Sequence, residues 1–248
     1  DRNISISTKN YKICEKISYG SDECYKDIAI ITKNQEICKK ISNQYERYNC
    51  YYDVAITSKN ISMCNNTKNP ERCYKDIGIA TKNLTLCEKI KDENFRESCY
   101  RGIGIVMKNL SICERIENKL EKYRCYKDIA VALKNLSICD KIKKVWVKIQ
   151  KNVMISLDLK EYCYRDIGII TGNASICEKI SEWELKVSCY EKIGKEKGPS
   201  ICENIKKSRD RYRCYTMVAI VMRDPKICEN LEDRYLKEDC YESYKNAL

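Results

Sequence analysis

Cysteine spacing sets the first limit on what this chain can fold into. Eighteen cysteines alternate along 248 residues, with no histidine beside them. No two are closer than nine residues, so there is no C-x-x-C pair. Zinc and haem sites recruit histidine or closely spaced cysteines. An even count in a secreted chain reads instead as a disulfide framework. One set of gaps is nearly constant, seven of 14 residues and one of 13. The other set varies: 10, 12, 9, 12, 12, 24, 12, 12 and 12. The common period is 26, the mark of a repeat array.

Each repeat has a long and a short segment. In the long one, apolar residues recur at the cysteine, four and seven residues on: Cys99, Ile103, Val106; Cys163, Ile167, Ile170; Cys214, Val218, Val221. That is one face of an α-helix. The short segment repeats a tighter version: Ile37, Cys38, Ile41; Leu86, Cys87, Ile90. Four residues before each short-segment cysteine stands Asn10, Asn34, Asn60, Asn83, Asn109, Asn135, Asn173, Gly198 or Asp224. These are N-cap residues, and Pro199 and Pro225 follow where proline is favoured, at the first helical position. The reading is all-α: a disulfide-stapled α-solenoid of nine helical hairpins, forming one repeat domain over residues 1–248.

Consecutive pairing uses every cysteine: Cys14–Cys24, Cys38–Cys50, Cys64–Cys73, Cys87–Cys99, Cys113–Cys125, Cys139–Cys163, Cys177–Cys189, Cys202–Cys214 and Cys228–Cys240. Pairing across the constant gap would leave Cys14 and Cys240 alone. Insertions are tolerated in surface loops, so the variable gap is the hairpin loop and the constant one the rigid element. Small residues recur five after the second cysteine (Ala29, Ala55, Gly78, Gly104, Ala130, Gly168, Gly194, Ala219) and would let neighbouring helices approach closely. Tyrosine follows the second cysteine in every repeat, from Tyr25 to Tyr241. Packing between repeats explains it better than a stacking ladder for a ligand. Asp27, Asp53, Asp76, Asp128 and Asp166 suggest repeated ion pairs before a calcium ladder. Lys9, Lys33, Lys59, Lys82, Lys108 and Lys134 fall at helix C-termini, where cations suit the dipole.

The sixth repeat carries the long gap. Apolar residues at 145, 147, 149, 153, 155, 157 and 159 alternate with period two, the strand signal. Residues 143–160 are therefore expected to form an inserted β-hairpin turning at Lys151-Asn152. A lone hairpin is marginal in water, so its apolar face covers either its own solenoid or a neighbouring chain. The second case makes Trp146, Val147, Ile149, Met154, Ile155 and Leu157 an assembly contact.

Sequons stand at Asn3, Asn60, Asn65, Asn83, Asn109, Asn135 and Asn173, which points to N-linked glycans and an extracellular or cell-surface location after removal of a signal peptide. No apolar run approaches the 18 residues that a membrane span needs. Heavy use of charge fits a thermophile. The net charge of +11 is spread through the repeats, with no nucleic-acid motif.

The run Cys125-Tyr126-Lys127-Asp128-Ile129-Ala130, continued by Lys134-Asn135-Leu136-Ser137-Ile138-Cys139, resembles the cysteine-rich helical repeats of secreted archaeal proteins. That resemblance covers nearly the whole chain and implies a surface or interaction role. Without a nucleophile–base pair, phosphate loop or cofactor motif, the chain reads as no enzyme. It is expected to be a structural protein that self-assembles into a surface filament or sheath, as a homo-oligomer or head-to-tail polymer, since its ends fall inside a repeat. The alternative is a monomeric extracellular scaffold binding a protein or glycan.

Overall fold

A computed structural model describes residues 2–150, 153–203, 205 and 208–247. The chain divides into two compact units, Asp1–Glu121 and Lys122–Leu248. Both are disulfide-stapled helical repeats. Long α-helices of 12 to 15 residues, such as Gln44–Ser58, Glu93–Met107 and Leu159–Thr171, alternate with short helical turns of four to six residues. Several short turns, among them Gln35–Lys40 and Ala174–Lys179, are 3-10 helices, so the first arm of each such hairpin is a short tight helix.

Eight bridges join consecutive cysteines, Cys14–Cys24 to Cys87–Cys99 in the first unit and Cys139–Cys163 to Cys228–Cys240 in the second, with Cα separations of 5.4 to 5.8 Å. Cys113 and Cys125 are disulfide-bonded as well. The bridges are the centre of the core, and each described cysteine is fully buried. Around them lie the residues one, four and five after the second cysteine, such as Tyr25, Ile28 and Ala29. The buried arc is thus rotated from the one the spacing predicts. Val106 and Ile170, seven after their cysteines, are 49% and 52% exposed. At about 100° per residue, the arc from the cysteine to the fifth residue is centred near 70°, and the seventh lies about 90° away from that centre.

At Gly78 and Gly168 the small fifth residue faces the next bridge, and at Gly194 it faces Val218 of the next long helix. A Cβ on Gly78 would lie 3.2 Å from Cys99 Sγ, and one on Gly168 would lie 3.0 Å from Cys189 Sγ. Repeats interlock there, disulfide against helix backbone.

The constant gap has a local cause. Each long helix ends on a residue with left-handed backbone, immediately followed by the next cap: Lys33 then Asn34, Lys108 then Asn109. The asparagine serves both helices. Its backbone N–H closes the preceding helix (Asn34 to Ala29 O, 3.0 Å; Asn109 to Gly104 O, 3.0 Å). Its Oδ1 accepts the N–H two residues on (Glu36, 3.0 Å; Ser111, 3.0 Å). This is a Schellman ending fused to an N-cap, with no residue to spare. The single 13-residue gap shows the alternative. Gly198 both ends one helix and caps the next, at φ 73° and ψ −169°, a region essentially reserved for glycine.

Candidate interaction surfaces

In the sixth repeat, β1 (Val145–Gln150) and β2 (Val153–Leu157) form an antiparallel ribbon, with Val145 opposite Leu157 and Trp146 opposite Ser156. The expected turn at Lys151-Asn152 lies outside the described residues, as do the side chains of Ile149 and Ile155. The pleat divides the expected contact set. Val147 and Leu157 belong to the half-buried face. Trp146 and Met154 share the opposite face with Lys148 and Ser156, and are 64% and 51% exposed. On an antiparallel ribbon they are diagonal neighbours, within reach of each other for large side chains.

The recurrent tyrosines bond within their own repeats, and the recurrent aspartates tie neighbouring repeats together. Tyr25, Tyr51, Tyr100, Tyr126, Tyr164, Tyr190 and Tyr215 are buried. The Tyr74 hydroxyl donates to Asn65 Oδ1 at 2.7 Å and the Tyr241 hydroxyl to Glu229 Oε1 at 2.5 Å, each reaching the residue after its own first cysteine; Tyr164 makes the equivalent bond to Asp140. Asp53 pairs with Lys26 of the preceding repeat at 2.8 Å, Asp166 with Lys127 at 2.9 Å, and Asp76 accepts the Tyr52 hydroxyl. No group of three cysteines or carboxylates that could hold a metal converges among the described residues.

Burial and the Asp76 hydrogen bond push Tyr52 up to about 12. Burial likewise raises Tyr190, whose buried hydroxyl has no partner, and Tyr215. The folded chain holds these protons more tightly than the unfolded chain, where tyrosine titrates near ~10. Their contribution is complete below that value and is lost as pH rises through the folded values. The urea midpoint is therefore expected to fall as pH is raised above about 10, with a smaller fall in Tyr52→Phe. A midpoint unchanged at about pH 11.5 would contradict this.

One set of residues escaped the sequence reading, and a second was read there only as helix-terminal cations. Carboxylates two before the second cysteine cap the following repeat's loop. Asp22 accepts the N–H groups of Ser42 and Asn43, both at 2.9 Å; Glu71 those of Lys91 and Asp92; Glu161 those of Ser181 and Glu182. Buried Glu97 accepts that of Asn118 at 2.7 Å. Their signal, an acid at one repeat phase, is diluted because Tyr48, Tyr123 and Tyr212 take that position elsewhere.

The other set is the left-handed residues. Lys9, Lys33, Lys59, Lys82, Lys108, Lys134 and Arg223 all have φ between 52° and 56°. A side chain in this conformation costs roughly 1 kcal/mol or more relative to glycine. A cation at a helix C-terminus returns only about 0.3–1 kcal/mol. Backbone energetics alone would therefore place glycine or asparagine here, as Gly172 is placed at φ 61°.

The sequons also separate. In five, at Asn60, Asn83, Asn109, Asn135 and Asn173, the Ser or Thr hydroxyl donates to the cap Oδ1 at 2.6 to 2.8 Å. Those hydroxyl residues are exposed, and the asparagine Nδ2 is left out of the cap. At Asn3 and Asn65 the hydroxyl residues Ser5 and Thr67 are buried, bonded to backbone carbonyls.

No known family model, curated protein or solved structure matches this chain. No described helix is long and apolar enough to cross a membrane. The fully oxidised cysteines suit a compartment outside the reducing cytosol.

Proposed function

We propose that the chain is a non-enzymatic extracellular structural protein that self-assembles through the outer face of its hairpin. One observation carries this reading: Trp146 and Met154, exposed together on a ribbon that interrupts an otherwise regular repeat. Tryptophan is among the residues that dominate binding energy at interfaces. The interlocked disulfides supply a rigid base from which such a contact can work. Glycans on the five exposed sequons would suit a surface location.

Sedimentation velocity tests the reading. The native chain is expected to associate at roughly 100 µM. The double variant Trp146→Ser, Met154→Gln is expected to stay monomeric with unchanged helical circular dichroism. A monomeric native chain, or a variant that associates equally, would overturn it.

A further inference from the structure

The left-handed cations have a common setting. All seven are exposed, and none takes part in an ion pair among the described residues. Asp224, the cap after Arg223, is the acid among the link residues; other carboxylates of the repeats are engaged elsewhere. Asp22, Glu71, Glu97 and Glu161 cap loops at the opposite end of the long helices, and Asp53 and Asp166 pair across repeats. Among the short helices only Gln35–Lys40 has an acid in its first turn, Glu36, and it pairs with Lys39 at 2.6 Å.

The exception to the series restores the charge. Gly172 holds the equivalent position, and a Cβ built on it would meet Lys197 Nζ at 2.1 Å. The ammonium of Lys197 thus occupies the space that a ladder side chain would enter. In the unit Asp1–Glu121 the edge presents Lys9, Lys33, Lys59, Lys82 and Lys108. In the unit Lys122–Leu248 it presents Lys134, Lys197 and Arg223. In the first unit the cations recur once per repeat, at about the 8–10 Å spacing of packed helices; in the second, three cations serve four links, since Gly198 has no such neighbour.

We propose that this edge binds a linear acidic polysaccharide, one anion to each repeat. A polyuronate carries one carboxylate on each sugar, so every second carboxylate falls at a comparable interval. Half-exposed apolar side chains flank the cations one or two residues before them (Ile31, Val106, Met107, Leu133, Met222), as Ile170 precedes Gly172, and suit the C–H faces of sugar rings. Single-stranded nucleic acid is recognised by stacking on aromatic residues. The exposed aromatics Tyr19, Tyr45, Trp183 and Tyr235 stand at the loop end of the repeats, away from this edge. The proposal is independent of assembly through the hairpin.

The test compares three full-length chains by calorimetric titration with polygalacturonate at two salt concentrations. In the first variant Lys33, Lys59, Lys82 and Lys108 become glycine, which their backbone favours. In the control Lys16, Lys68, Lys91 and Lys119, all exposed and off the edge, become glutamine. The native chain is expected to bind, more weakly at higher salt. The glycine variant should bind about tenfold or more weakly with an equal or higher melting temperature, and the control within about twofold of native. Absence of binding by the native chain, unchanged affinity in the glycine variant, or equal loss in the control would overturn the proposal. So would tighter binding of poly(dT) than of polygalacturonate, which would assign the edge to nucleic acid.

Discussion

Reduced and alkylated, the chain is expected to lose most of its helical circular dichroism at 25 °C. Its long helices have at most 15 residues, about the length at which isolated helices are marginal in water. The short arms have only four to six residues. What holds each arm to its helix is the bridge, which closes a loop of 9 to 24 residues. Closing a 15-residue loop is worth roughly 3 kcal/mol through the restricted unfolded chain. The sulfurs are also the packed centre of every repeat, so alkylation adds volume where none is free. A single lost bridge should be survivable but costly. The double variant Cys177→Ala, Cys189→Ala is expected to lose about 2–5 kcal/mol in urea unfolding. An intact helical signal in the reduced, alkylated chain would show that interlocking alone suffices.

Gly168→Leu should be nearly as damaging. The new Cβ would lie 3.0 Å from Cys189 Sγ and 3.6 Å from Ile176 Cβ, and the branched remainder would enter the core between two repeats. A disulfide cannot rotate away as a flexible side chain can. The expected cost is about 3 kcal/mol, at the upper end for overpacking. Gly168→Ala is the informative companion. Alanine fills the same position at Ala29, Ala55, Ala130 and Ala219, all fully buried. It should cost under about 1 kcal/mol. Equal urea midpoints for the leucine and native chains would mean that the repeats are not pressed together at this point.

How much of this was legible in the sequence depended on the range of the interaction. Caps and helix starts are local, and the asparagines four before each short-segment cysteine mark them correctly. The period-two run also located the two strands of the hairpin. Helix rotation is set by the neighbouring repeat, and there the apolar spacing misled. Val106 and Ile170 continue the pattern of Cys and Ile yet face outward, because tyrosine and the small fifth residue complete the buried arc. The pleat likewise separates Trp146 and Met154 from Val147 and Leu157, although all four are apolar and close in sequence. The left-handed lysines were seen as helix-terminal cations only. Their backbone conformation follows from a two-residue link that must end one helix and cap the next. A constant gap was the visible trace of that link, and Gly198 at the one shortened gap was its strongest hint.

The confinement of each bridge to its own hairpin bears on how the chain acquires its fold. Described partners are never more than 24 residues apart, and the neighbouring cysteine in the emerging chain is the correct one. A repeat can oxidise as soon as both of its cysteines are in an oxidising compartment, before the next has appeared. Loop closure over so short a span is fast, on the order of 10–100 ns for ten residues. Each finished hairpin then offers its sulfurs and its small fifth residue as a template for the next. Biogenesis from the first repeat to the last would need little disulfide shuffling, even with eighteen cysteines.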